Sequence, residues 1–169
     1  MGLVQVATNT VTSAVASVTL TGIDSDDVYM LAYSNVVPAS DSESLYMRFT
    51  ESGTANSSSN YDIADKDLRA SETFAIDYGA NQSLFSFSHA SGNDTGEQTG
   101  GIIYIYNANN SSEYTFCSFE NYHMVSTPKL RGRQGGGVFT STSSVDGVSL
   151  FFASSTNTSS GTYTLYKVV

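Results

Sequence analysis

The chain has no tryptophan, one cysteine, two prolines and two histidines in 169 residues. Each scarcity removes a reading. A single thiol, Cys117, cannot close a disulfide within the chain, and no spacing of Cys and His matches a zinc site, so stability rests on packing. Nucleophilic catalysis needs a Ser or Cys beside a His that a carboxylate orients. Only His89 and His123 are available for that, each on or near a strand end, and no G-x-S-x-G elbow is present. Positive charge is scarce as well, with seven Lys and Arg against sixteen Asp and Glu and a formal net charge of −9. The summed field repels phosphate backbones and anionic lipid surfaces, which argues against nucleic acid and membrane as partners. The beginning MGLVQVATNT has no basic stretch leading into an apolar run, and no run approaches the roughly 18 apolar residues of a membrane span. Neither secretion nor membrane spanning is expected, and the product is expected to stay soluble where it is made.

What the chain does have is aromatic and β-branched residues in alternation. Eleven Tyr and nine Phe give a strand bias. Charged residues make up 14% of the chain, against about 25% in an average domain. Ser, Thr, Asn and Gly take the polar positions instead, as suits sheets and long loops. The length fits one domain over residues 1–169, large enough to bury a core without covalent staples. In Ser17–Thr21, Val18 and Leu20 share one face. Val28 to Val37 reads as a long strand that Pro38 ends. Leu45, Met47 and Phe49 point to the core and Arg48 points out. Phe74 with Ile76, and Phe85 with Phe87, mark two short strands separated by YGANQ. GIIYIYN, residues 101–107, is apolar on both faces and predicts a strand covered from both sides in the middle of a sheet. Glu113 to Met124 alternates around Tyr114 and Phe116, with a bulge at Phe119. Asp62 to Ala70 is the one helix-like stretch, since Ile63 and Leu68 can share a face and Asp62 can cap it. The sum is roughly ten strands with at most one short helix near 62–70, the pattern of an all-β antiparallel sandwich or barrel.

The stretch RGRQGGGVF, Arg131 to Phe139, poses the sharpest functional question. A phosphate-binding P-loop follows its last glycine with a lysine, a hydroxyl and a helix; here Val138 and Phe139 follow. The stretch reads instead as a connection between strands, with Gly135, Gly136 and Gly137 letting a neighbouring backbone or subunit approach closely. Lys129, Arg131 and Arg133 are three of the seven basic residues and form one positive spot, suited to an acidic patch on another subunit. Paired carboxylates for glycoside cleavage would come from Asp62, Asp65, Asp67 or Glu120. The acidic turns at 24–27 and 93–97 do not match an EF-hand loop and read as solvated turns. No catalytic, cofactor or metal residues are assigned.

Three landmarks in order carry a resemblance: Ser17-Val18-Thr19-Leu20-Thr21-Gly22-Ile23, then Leu45-Tyr46-Met47-Arg48-Phe49, and finally Tyr163-Thr164-Leu165-Tyr166-Lys167-Val168. Tyr61 and the strand Ile103-Tyr104-Ile105-Tyr106-Asn107 fall between them in the matching order. Over nearly its whole length the chain resembles the small single-domain virion structural proteins of marine, cyanophage-like tailed bacteriophages. Thr50 departs from that pattern where Asn is usual, and Lys167 where Gly is usual. The resemblance implies a β-sandwich of jelly-roll type and a place on the virion, and carries over no catalytic residues. The expected role is a capsid decoration, or cement, protein that coats the head. Its expected partners are its own copies, as a homo-oligomer and most naturally a homotrimer, and the major capsid protein or other virion proteins. The alternatives are a tail-associated adhesin binding a host glycan and a small hydrolase. Residues 1–12 read as an arm or edge strand for a neighbour, with Leu3, Val4 and Val6 as contacts beside Lys129, Arg131, Arg133 and Gly135 to Gly137.

Overall fold

Alternating apolar and polar side chains build thirteen strands in the computed structural model, which describes residues 2–169. They are β1 (Leu3–Val11), β2 (Val18–Thr21), β3 (Tyr29–Pro38), β4 (Leu45–Glu51), β5 (Thr54–Ala55), β6 (Tyr61–Arg69), β7 (Ala75–Gln82), β8 (Phe85–Ser86), β9 (Thr99–Tyr106), β10 (Thr115–Val125), β11 (Lys129–Phe139), β12 (Gly147–Phe152) and β13 (Thr158–Val168). Among the described residues the one helical turn is a 3-10 turn at Ala153–Ser155.

The strands form two antiparallel sheets, ordered β1-β13-β3-β9-β10-β11-β6-β7 and β2-β12-β4-β5, with β8 also paired to β4. Eight of them account for the chain's course. β1, β2, β3, β4, β8, β9, β12 and β13 supply the neighbours β1-β13-β3-β9 in one sheet and β2-β12-β4-β8 in the other. That is the strand order of a jelly roll, in which two Greek keys fold over each other. The hairpin β6–β7, inserted between β4 and β8, and the hairpin β10–β11, inserted between β9 and β12, extend the larger sheet to eight strands.

One core lies between the sheets. Leu45, Met47 and Phe49 of β4, Leu31 of β3, Ile103 and Ile105 of β9 and Leu165 of β13 are fully buried there. Its aromatic centre is Phe49, Tyr61, Phe85 and Phe139, with neighbouring ring centroids between 4.7 Å and 6.4 Å apart. Most of these pairs are edge-on or tilted, the geometry that aromatic quadrupoles favour. Tyr61 is buried because its hydroxyl is used. It accepts from the Phe49 amide at 3.2 Å and donates to the Asn56 carbonyl at 2.7 Å. Thr50 is buried with its hydroxyl donating to Asp146 at 2.6 Å.

Several expectations are corrected. Asp62 to Ala70 is not helical: residues 61–69 are β6, with Tyr61, Ile63, Asp65 and Asp67 alternating inward. Two buried aspartates hid the period of two, because a carboxylate in the sequence looks like a surface group. β10 runs without a bulge against both β9 and β11, and its phase is the opposite of the expected one: Cys117 and Phe119 are buried while Tyr114 and Phe116 are exposed. β9 does lie mid-sheet, yet one face is open, leaving Ile102 and Tyr104 partly exposed. YGANQ is not a separator; it belongs to β7, and Phe74 and Ile76 are exposed. Arg131 to Phe139 is no connection between strands but most of the continuous strand β11, paired to β10 on one side and β6 on the other.

Candidate interaction face

Within β11 the glycines alternate like any strand residues. Gly135 and Gly137 face inward. A Cβ on Gly137 would stand 2.5 Å from a ring carbon of Phe85 and 2.9 Å from the Asp62 carbonyl, and one on Gly135 would overlap the Ala64 carbonyl. The close approach expected of this stretch is therefore made by the chain's own strand β6 and its aromatic core. Gly137→Ala is expected to lower stability by about 1–3 kcal/mol through overpacking. Gly136→Ala, which faces out, is expected to stay within about 1 kcal/mol. Urea denaturation midpoints separate the two, and equal shifts would show that Phe85 yields freely.

Arg133 also points inward and is fully buried, which removes it from the expected positive surface spot. Its guanidinium donates five hydrogen bonds. Nε reaches Asp65 Oδ1 at 2.9 Å, and Nη2 reaches Asp65 Oδ2 at 2.5 Å and Asp77 Oδ2 at 2.7 Å. Nη1 donates to the Ser86 carbonyl at 2.8 Å and to its hydroxyl at 3.3 Å. The planar fork suits a bidentate carboxylate, and with these donors satisfied the charge is tolerated in the interior. The adjacent Asn121 donates to the Phe87 carbonyl at 2.7 Å, and His89 meets Asp77 at 2.8 Å. These bonds tie the segment from Ser86 to His89 onto the inner face of the β10, β11, β6 and β7 extension.

Lys129 and Arg131 remain near the surface. With Arg69 they surround Glu72, at 3.0, 3.3 and 3.1 Å respectively. A hydrogen bond from Lys129 and its positive charge hold the Glu72 carboxyl below the usual carboxylate range. Leu3 and Val4 are half exposed on β1, which is an edge strand of the larger sheet paired to β13 of its own chain; Val6 is partly buried against the core. Met1, the first residue of the expected arm, lies outside the described residues.

His89 has the carboxylate partner that a catalytic histidine needs, but Arg133 shares that carboxylate. Among the described residues neither imidazole is hydrogen-bonded to a hydroxyl or thiol: His89 meets Asp77, and His123 Nε2 meets the His89 carbonyl at 3.1 Å. Burial pushes the Cys117 thiol up to about 12 and so disfavours a thiolate. Among the described residues no three His, Cys, Asp or Glu side chains stand together as metal ligands. The acidic turn at 24–27 is closed by its own contacts: Tyr29 donates to Asp24 at 3.0 Å and Lys167 pairs with Asp27 at 2.6 Å.

The unusual surface is the outer face of the larger sheet. Among the described residues, seven of the twelve large exposed hydrophobic ones sit there: Ile76 and Tyr78 on β7, Ile102 and Tyr104 on β9, Phe116 and Tyr122 on β10, and Leu130 on β11. Ile76 and Tyr78 are each 79% exposed, too open to be serving this chain's own core. Hollows lie between the aromatic ridges, with Gly132 and Gly136 among the residues that line them, whereas the Tyr122 ring covers Gly100. One is lined by Ile102, Tyr104, Glu120, Tyr122 and Gln134; another by Leu68, Phe74, Tyr122 and Leu130, with Arg69 and Arg131 at its rim. So many open aromatic and aliphatic side chains on one sheet face, interspersed with polar ones, mark an interaction site. Sequence reasoning missed it because both faces of β9 and β10 are aromatic or aliphatic. No family model matches the chain, and no curated protein matches it either.

Proposed function

We propose that the chain is a bacteriophage virion structural protein, a capsid decoration protein that coats the head as a homo-oligomer. The observation that carries this reading is the exposed aromatic face, which gives the molecule a docking surface where an enzyme would have a cleft with a nucleophile. The strand order of a jelly roll and the family resemblance of the three landmarks support it. Polar Ser, Thr and Asn loops and a net charge of −9 suit a protein held in a dense array, since they resist nonspecific association.

Attachment to the shell runs through the edge of β1. Gly2 and Val169 exchange both backbone bonds, at 2.6 and 2.9 Å. Alternation in the antiparallel ladder then turns the amides of Leu3 and Gln5 away from β13, toward a partner. An edge strand with open amides can take up a further strand. Deleting residues 1–12 is expected to abolish attachment to capsids. Leu3→Pro with Gln5→Pro is expected to do the same while keeping the β1–β13 ladder, because proline is tolerated where the amide faces outward. Capsid pull-down reads both, and a folded double-proline protein that still binds would overturn the role of this edge. Quantifying the protein in purified virions tests the function itself: hundreds of copies fit a head coat.

A tail-associated, glycan-binding adhesin is the second reading. It is favoured by the hollow between Tyr104 and Tyr122, where Glu120 and Gln134 supply hydrogen-bonding groups beside aromatic walls. A few dozen copies per virion or fewer, with glycan-array binding lost in Tyr122→Ala, would select it.

A further inference from the structure

We infer that the outer face of the larger sheet is closed by a second copy of this chain, related by a two-fold axis running along β11. The inference rests on reading that face as an interaction surface and names its occupant. Its basis is the cross-strand register. Along one row of the face, from β9 to β7, stand Ile102, Glu120, Gln134, Lys66 and Ile76. Along the next stand Tyr104, Ser118, Gly136, Ala64 and Tyr78. Each row reads nearly the same from either end, with β11 at its centre, and in the first row charges of opposite sign flank that centre at equal distances.

A two-fold axis parallel to β11 lays β10 of one copy over β6 of the other, and β9 over β7. Glu120 then faces Lys66, Ile102 faces Ile76, Tyr104 faces Tyr78, and Ser118 faces Ala64. Gly136 meets its own counterpart on the axis, where the missing side chains let the two backbones come close. In a third row Tyr122 falls opposite Leu68, with Gly132 between them. Every such contact occurs twice, as an isologous interface requires. Face-to-face sheets separated by roughly 10 Å hold such side chains in contact. The pattern ends at the row of Phe116, Val138 and Asp62, where Phe116 would meet Asp62 and the rim of the contact lies.

Charge commits the occupant. Among the described residues neither Glu120 nor Lys66 takes part in an ion pair within the chain; the Lys66 ammonium rests 5.1 Å from the centre of the Phe74 ring. Two copies of a molecule with a net charge of −9 repel overall, so a face that sets Glu120 opposite Lys66 favours this one arrangement over shifted ones.

Sedimentation velocity tests the inference. At about 100 µM, well above a micromolar Kd, the wild-type chain is expected to sediment as a pair of 18.0 kDa subunits. Glu120→Lys and Lys66→Glu each place two like-charge contacts in the interface, and each is expected to weaken pairing by at least about tenfold. The double exchange restores opposite charges and is expected to recover pairing to near the wild-type level, a coupling that loss of folding does not mimic. Both side chains are exposed in the single chain, so thermal midpoints measured at a dilution where the wild type is monomeric are expected to stay unchanged. A wild-type monomer at that concentration, a trimer indifferent to either reversal, or a double variant no better than the singles would overturn the two-fold pair. Those outcomes leave the coat reading standing if virions still carry hundreds of copies, whereas a low copy number with intact pairing would remove the coat reading alone.

Discussion

Arg133→Met is expected to lower stability by about 3–5 kcal/mol, among the largest effects expected of a single substitution in this chain. Both side chains of the Arg133–Asp65 pair have no solvent exposure. Removing the guanidinium leaves the Asp65 carboxylate buried without its counter-charge, and that uncompensated charge costs more than the pair contributes. The same loss frees the Ser86 carbonyl and one partner of Asp77, which loosens the segment covering the sheet extension. Replacing both partners, Arg133→Met with Asp65→Leu, is expected to recover most of the loss, because a well-packed apolar pair of similar volume avoids desolvating any charge. Urea denaturation of the three proteins checks this through the midpoint. A single variant within about 1 kcal/mol of wild type would mean that water reaches Asp65. A double variant worse than the single would mean that the bonds to Ser86 matter more than the charge.

Acidification is expected to destabilise the fold by about 3 kcal/mol through His123 alone. Burial is the main cause that pushes its imidazole down to about 4 from an ordinary value of 6.5. The groups around it act in both directions: Asp67 on β6 and the His89 carbonyl favour the proton, while His89 and Arg133 oppose it. With the folded pKa below the unfolded one, the unfolded chain binds the proton more readily. Stability from this residue is therefore complete above about pH 6.5 and is lost as pH falls toward 4, levelling off below. His123→Gln removes the titration and is expected to flatten the curve across that window while keeping a polar group at the site. Denaturation free energies measured from about pH 7.5 to 4 in both proteins decide the point. Parallel curves would assign the acid sensitivity to the carboxylates.

The sheet strands were legible where one face is apolar and the other polar. Val18 and Leu20, and then Leu45, Met47 and Phe49, face inward as their alternation requires, and Pro38 closes β3. The pattern misled where the interior is polar or the exterior is aromatic. Asp65 and Asp67 face inward because Arg133 and Arg69 wait for them from positions 68 and 2 residues away in the chain, and no local window contains the first of those partners. In β10, Phe116 and Tyr122 compete in hydrophobicity with Cys117 and Phe119, so the period was visible and its phase was not. Three consecutive glycines announce a close approach, but which backbone approaches was invisible until β6 was seen beside them.

Composition and alternation by themselves determined that this protein is built of strands around a Tyr- and Phe-rich interior, because a period of two is a local property of extended backbone. Only the tertiary structure decided that Arg133 is an interior residue while Ile76, Tyr78, Ile102 and Tyr104 form an open face. Which side of a strand is buried depends on what packs over it: the smaller sheet and the Ser86–His89 segment cover the inner side of the larger sheet, and its outer side, widened by two inserted hairpins, is left open.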